Sequence, residues 1–283
     1  MKTGNYRRPD WLRIKPFDFS ELAAMDNYVS GLGLNTVCRS ARCPNRATCF
    51  ARQQVTFLIL GDTCTRHCLF CAVGHGKPEA PDTREAEHLA EAVKELALKH
   101  VVITSVTRDD LADGGASQYA RAAAETRKMN KDAIIEILVP DFKGSGKALA
   151  IAVNAGPDIV AHNLDTVPRL FPEIRPQADF ERSLSVLNEV KHINKRVLTK
   201  SGLMLGLGES QEEVFAVMTD LRAAGCDILT IGQYLAPSRE HPAPARYAPL
   251  EEFEEYRRAG LAMGFSSVHS APLVRSSFHA SEN

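Results

Sequence analysis

The chain is poor in several things at once. It has one tryptophan, 7% aromatic residues and a net charge of only −1. A balance so near neutrality gives no reason to expect a nucleic-acid or membrane partner. No apolar run approaches the ~20 residues that a bilayer-spanning helix needs. The longest helical candidate of that kind, Ala148 to Val153, is short and flanked by Lys147 and Asn154. The N-terminus, Met1-Lys2-Thr3-Gly4-Asn5, lacks the apolar core of a secretion signal. No phosphate loop or dinucleotide glycine signature is evident. These absences lead to the expectation of a soluble, cytoplasmic protein. Apolar residues, by contrast, make up 44% of 283 positions, enough for the full core of one large α/β domain.

Cysteine is the residue the chain uses unusually. Cys38, Cys43 and Cys49 form one tight group, Cys64, Cys68 and Cys71 a second, and Cys226 stands alone. Tight grouping points to metal ligation in a reducing compartment and away from a disulfide framework. Cys226, in Ala-Ala-Gly-Cys-Asp just before a strand, reads as a small core residue.

The second group organises the chain. The apolar run Thr56-Phe57-Leu58-Ile59-Leu60 reads as a buried strand ended by Gly61, so a strand delivers Cys64-x3-Cys68-x2-Cys71 onto one short loop. Three thiolates there would hold three corners of a four-iron cubane and leave one iron open. Structural zinc is the alternative, although zinc sites usually want four ligands. Three unrelated buried cysteines is the other.

From residue 55 onward strands and helices alternate. Strands are expected at Thr56–Leu60, Val101–Val106, Ala133–Val139, Ile159–Asn163, Arg196–Leu205 and Asp227–Gly232. Helices are expected at Glu87–Lys99, Ala116–Met129, Gly146–Ala155, Phe180–Ile193, Gln211–Ala224 and Leu250–Met263. Such alternation argues a parallel sheet with helices outside, and right-handed crossovers let it curl. Six units fall short of eight, so the expected fold is an open, partial (β/α)6 TIM-like barrel, with a flat doubly wound sheet as the alternative. The body spans 53–268. An arm, 1–52, reads as irregular, with Trp11 as an anchor, and a tail, 269–283, reads as a frayed end when taken alone. Barrel sites lie at the C-terminal strand ends. That singles out Ser105, Arg108, Asp109, Gly114 and Gly115, His162, Asn163 and Asp165, Lys200 and Gly202, and Gln233 and Tyr234. Each is equally readable as part of a solvated loop.

Phe70, just before the third cysteine, and the spacing itself resemble the motif of the radical S-adenosylmethionine (SAM) enzymes. With Cys38-x4-Cys43-x5-Cys49 and the Arg275-Ser276-Ser277 tail added, the chain resembles the lipoyl synthases from about Trp11 to Ala280. Further similar stretches are Ala72 to Pro78, Arg108-Asp109-Asp110-Leu111, His162-Asn163-Leu164, Gly202 to Glu209 and Ile231 to Leu235.

The resemblance implies a SAM-binding [4Fe-4S] cluster on Cys64, Cys68 and Cys71. It implies an auxiliary [4Fe-4S] cluster on Cys38, Cys43 and Cys49, with Ser277 as fourth ligand and catalytic participant. Phe70, Ser105, Gly114, Gly115 and Asn163 would face SAM. The implied reaction inserts two sulfurs, at C6 and C8 of an octanoyl chain on a lysine of a lipoyl carrier protein, with the auxiliary cluster as sulfur donor. An electron-transfer protein and cluster assembly or repair proteins would be further partners. Ser277 requires the tail to fold back onto the arm. Cys49 precedes the first strand and Cys64 follows it, and roughly six residues of strand span ~20 Å, so the arm must also bend back. Phe278, Thr107, Arg39 and Ala271 depart from the family's usual tyrosine, aspartate, glutamate and glycine, and none of these is a ligand. Two other functions fit the cysteines: a different radical SAM enzyme with an extra cluster, and a zinc-binding scaffold.

Overall fold

The computed structural model describes residues 9–12, 19–52 and 54–277. Its strands are β1 (Asn35–Thr36), β2 (Thr56–Ile59), β3 (Thr63–Cys64), β4 (Gly74–His75), β5 (His100–Ser105), β6 (Ile134–Leu138), β7 (Ile159–Ala161), β8 (Leu198–Leu205), β9 (Ile228–Gln233) and β10 (Ser267–Ser270). Its helices are α1 (Phe19–Gly31), α2 (Val37–Ser40), α3 (Arg46–Ala51), α4 (Glu85–Glu95), α5 (Ala116–Met129), α6 (Gly146–Asn154), α7 (Phe171–Ile174), α8 (Phe180–Ile193), α9 (Gln211–Ala223) and α10 (Leu250–Ala262).

Eight strands form one sheet in the order β1-β2-β5-β6-β7-β8-β9-β10. From β2 to β10 all neighbours are parallel, and β1 joins β2 antiparallel with Thr36 opposite Phe57. Six strands are each followed by a helix, as the alternation demands, and the architecture is the partial TIM-like barrel expected. Parallel order requires a crossover after every strand. Amphipathic helices such as α4, which buries Ala86, Leu89, Ala90 and Val93, supply it.

Three expectations need correction. The arm is not irregular: α1, α2 and α3 lie in it, and β1 extends the main sheet. The tail is preceded by one more parallel strand, β10, too short to show a period of its own. The first strand also stops one residue early, because Leu60 turns to φ +68° and Gly61 to +87°. That turn starts the cysteine loop.

Apolar side chains pack chiefly between sheet and helices. One core gathers Phe57, Ile59, Leu89, Ile103, Tyr119 and Ile137; a second gathers Leu203, Leu205, Val217, Met218, Ile231 and Phe253. Cys226 is fully buried in the second, as expected. Charge sits in the sheet as well: Lys200 donates to Glu136 at 3.1 Å, and His100 lies 3.1 Å from the same carboxylate. Burial would raise the Glu136 carboxyl, but Lys200 and His100 hold it below its ordinary value. Lys200 is therefore committed to an ion pair inside the body.

Candidate functional site

The Cys64–Cys71 loop is closed at its base. β3 pairs in parallel with β4, setting Cys64 beside His75, and Gly76 N donates to Cys64 O at 2.9 Å. Between those ends, Cys71 N donates to Cys68 O at 3.0 Å, a tight turn that keeps these two thiols together. Leu69 N donates to Ile174 O at 2.9 Å, and His67 N to Gln177 Oε1 at 2.7 Å. Phe70 packs its ring on the second apolar core. The loop is thus tied to the segment after β7 as well as to its own strand.

Its middle residue, Arg66, carries the strongest tie. The buried guanidinium donates to Asp109 Oδ2 at 2.7 Å, Asp109 Oδ1 at 3.0 Å and Asp141 Oδ1 at 2.6 Å. Arg182 Nε donates to the other Asp141 oxygen at 2.7 Å. Burial would raise the Asp141 carboxyl, but Arg66 and Arg182 hold it well below the usual carboxylate range. Two acids from successive strand ends therefore fix one arginine of the cysteine loop. Sequence reasoning noted Asp109 and missed Arg66, Asp141 and Arg182. The available signal was a basic residue between ligands facing acids at strand ends.

The strand-end residues divide into two sets. Asn163 Nδ2 donates to Ser276 Oγ at 2.7 Å, while Asn163 Oδ1 is buried without a hydrogen-bond partner among the described residues. His162 donates from Nδ1 to Val139 O at 2.8 Å, which leaves Nε2 bare, buried and unpartnered. Burial, then Arg175, lowers its pKa to about 4, so it is a neutral acceptor. Gly202 lacks the Cβ that would stand 3.0 Å from Asn163 Oδ1 and 2.9 Å from Thr230 Oγ1. The free Asn163 Oδ1 beside a bare glycine forms a polar cradle, and His162 Nε2 is a second free acceptor one residue earlier in the chain. Arg175 borders it, donating to Asn163 O at 2.8 Å and to Leu164 O at 3.1 Å. Arg175 also lies next to Cys68, whose thiol burial raises and Arg175 partly restrains.

The other set is structurally occupied. Ser105 Oγ accepts from Tyr119 OH at 3.0 Å. Gly114 and Gly115 make the left-handed turn before α5, with φ +62° and +89°, and a Cβ at 115 would collide with Leu60. Gln233 satisfies Leu205 O, Tyr234 O, Arg246 O and Ala248 N, and Tyr234 donates to Pro242 O. The N–H groups of Gly206, Leu207 and Gly208 all bind the Glu209 carboxylate at 2.6–3.1 Å, so that glycine-rich turn supplies its own anion.

Two of the arm's cysteines, Cys38 and Cys49, sit on short helices, and Cys43 lies in the turn between them. Thr36 caps α2, which carries Cys38; Cys43 N donates to Cys38 O at 3.1 Å; Cys49 lies on α3. The tail reaches them. Ala271 N donates to Ile231 O, Gln233 N donates to Pro272 O, and Asn45 Nδ2 donates to Leu273 O at 2.6 Å. Val274 O presses on Gly232, where a Cβ would leave no room. Arg275 follows, within electrostatic reach of Cys43. Ser277 is half-buried two residues on. The fold-back that Ser277 requires is therefore made by 271–275, and Asn163 meets the same tail from the strand-end side.

All seven cysteines are free thiols. Within each group the thiols feel one another: burial, then Cys43, pushes Cys38 to about 11, and burial, then Cys38 and Cys43, pushes Cys49 to about 12. Burial likewise takes Cys71 to about 12, with Cys68 and Cys64 adding to the rise. Thiols crowded and desolvated like this stay protonated until a metal displaces the protons. Among the described residues no three His, Cys, Asp or Glu side chains converge on an ion-sized point. The fit to a larger group rests on the donor chemistry, three thiols at each place near enough to interact electrostatically. The acceptor cradle suits the ammonium or hydroxyl donors of a small cofactor.

Comparison with known proteins bears on the family and the fold. Residues 58–221 match the family model of the radical SAM superfamily. A lipoyl synthase of Alkaliphilus metalliredigens is 51% identical over 280 residues, 98% of this chain and 95% of that protein. Lipoyl synthases of Geobacter sp. (strain M21) and Caldanaerobacter subterraneus are 53% and 50% identical, each over 97% of this chain and 94% and 96% of their own lengths. Among solved structures, Streptococcus suis SuiB bound to S-adenosylmethionine superposes with TM-score 0.60 at 12% identity, covering 90% of this chain and 61% of that one. Coproporphyrinogen III oxidase from Escherichia coli gives 0.53 at 17%, covering 72% and 51%. These two likenesses speak for the fold alone.

Proposed function

The chain belongs to the lipoyl synthases of the radical SAM superfamily, and on that premise we propose how its residues divide the work. Cys64, Cys68 and Cys71 hold the SAM-binding [4Fe-4S] cluster; Cys38, Cys43, Cys49 and Ser277 hold an auxiliary one. When bound, these clusters and SAM supply the one-electron chemistry and the sulfur that no side chain can, at C6 and C8 of a lysine-bound octanoyl chain. The working parts are the arm 1–52, the body 53–268 and the tail 269–283.

The chain's own residues bind, orient and exclude. Arg66, fixed by Asp109 and Asp141, keeps the cysteine loop in one shape before any metal arrives. Asn163 Oδ1 and His162 Nε2 accept hydrogen bonds from SAM's ammonium or hydroxyl groups, and His162, being neutral, adds no repulsion. Phe70 shields the loop from water. Ser105, Gly114 and Gly115 shape the same strand-end region, chiefly through packing. An oxygen donor at Ser277 is harder than thiolate, which makes its corner the one most easily given up.

The observation that carries this reading is the course of the tail. Residues 273–276 touch Asn45 of the arm and Asn163 of the strand ends at once, which supports both cysteine groups serving one substrate. The substrate is an octanoylated carrier protein; a reducing electron-transfer protein and cluster-repair proteins complete the partners. A chain whose cysteines are all free suits the cytoplasm. The test is anaerobic reconstitution followed by SAM, reductant and an octanoyl-lysine peptide. About eight irons per chain, 5′-deoxyadenosine and two added sulfurs by mass spectrometry are expected. About four irons, or 5′-deoxyadenosine with no sulfur added, would defeat it.

A further inference from the structure

Two backbone N–H groups from different loops point at one sulfur. Arg66 N stands 3.4 Å from Cys64 Sγ, and Thr107 N, at the end of the next strand unit, stands 3.3 Å from it. Neither is there by accident of a flexible loop. Thr65 is stitched to the 107–109 segment three times. Its N–H and its hydroxyl both donate to Thr107 O, at 3.0 and 2.9 Å, and its Oγ1 accepts from Asp109 N at 3.0 Å. Arg66 then closes the seam on the Asp109 carboxylate and on Asp141. Side chains of the cysteine loop thus hold the neighbouring loop in place, and the neighbouring loop presents its N–H to the ligand sulfur.

We propose that Thr65 and Arg66 are positioning residues that aim the Thr107 and Arg66 N–H groups at Cys64 and so raise the reduction potential of the cluster bound there. The inference rests on the cluster assignment above. Reduction adds negative charge to the cluster and its sulfurs, and the positive end of an N–H dipole stabilises that charge. Hydrogen bonds to ligand sulfur are one of the levers by which proteins set such potentials. Because the donor at 107 is backbone, the side chain there is free to vary, and the threonine that departs from the family's usual aspartate leaves the donor intact.

The test is an EPR-monitored redox titration of the reconstituted full-length protein. Thr107→Pro removes the N–H and should make the cluster about tenfold harder to reduce at a given potential, 59 mV for one electron. Thr107→Ala keeps the N–H and should leave the midpoint unchanged. Thr65→Val keeps the shape but loses the hydroxyl, and should fall between them. A second measurement needs no disruptive variant: protein grown on 15N-threonine should show 15N hyperfine coupling to the reduced cluster, and Thr107→Ser should remove one component of it while Thr63 and Thr65 keep their label. Equal midpoints for Thr107→Pro and Thr107→Ala with the cluster bound, or no coupling assignable to Thr107, overturn the proposal while sparing the cluster assignment. Absence of any reduced-cluster signal overturns both.

Discussion

The two cysteine groups are built on opposite principles. Cys64, Cys68 and Cys71 come from one short loop whose base is a strand pair and whose middle is held by buried charge, Arg66 between Asp109 and Asp141. Cys38 and Cys49 sit on short helices with Cys43 in the turn between them, and the group meets a tail more than 220 residues away in sequence through Asn45 and Arg275. The first site is preorganised by its own neighbourhood. The second is assembled only when both ends of the chain are in place. On the proposed assignment, the less self-sufficient site is the one that gives up its atoms.

That contrast can be broken most severely by ending the chain after Val274. Arg275, Ser276 and Ser277 are lost, and sulfur insertion should disappear. Iron should fall from about eight to about four per chain, while SAM cleavage by the loop cluster persists. Loss of both clusters together would show that the sites are not independent. Iron analysis with parallel assays of 5′-deoxyadenosine and product decides.

Asp141→Asn attacks the other site. Removing one partner of a buried ion network costs about 3–5 kcal/mol, read as a lowered Tm and a cysteine loop that loses iron first. The wild type should show the matching pH dependence. The folded-state value of Asp141 is depressed below that of a free carboxyl, so its contribution is present above about pH 4 and is lost as pH falls through the folded value. Thermal melts from pH 7 downward, compared with Asp141→Asn, should converge toward the acid end.

Ser277→Cys should sharpen the comparison by giving the arm a fourth thiolate. Iron should stay near eight, and turnover should fall about tenfold, ~1.4 kcal/mol of barrier. Product formed at the normal rate would end the labile-corner argument. The smallest effect is expected from Thr36→Ala, which strips the cap of α2. A loss of about 1 kcal/mol, measured by denaturant melts, should appear as faster release of iron from the arm group and none from the loop.

How much of this was readable beforehand depended on how local its cause was. Helices α5 and α8 were read to the residue, because a Gly-Gly turn starts one, Asp179 caps the other, and apolar residues recur on one face of each. The arm's helices were missed: α2 and α3 are too short to show a period, and α1 has only a weakly amphipathic face. The cysteines were legible as two close groups from spacing and type alone. Gly115 and Gly206 were visible as glycines, but the reasons they must be glycine, Leu60 in one case and Gln233 with Arg246 in the other, lie far along the chain. His162 and Asn163 were flagged as strand-end residues; that each keeps one bare acceptor depends on which partners the fold brings to their other atoms.

By itself, then, the order of amino acids determined the alternation that forces a parallel sheet, the thiol clusters and their chemistry, and the motif kinship, since each depends on residues close together. Only the folded molecule decided that the tail lies against the arm, that Arg66 is pinned by acids from two other loops, and that an asparagine and a histidine are left with unmet acceptors. Those features arise where segments tens to hundreds of residues apart meet. Such meetings are set by packing and by the need to satisfy every buried polar group, and no local pattern encodes them.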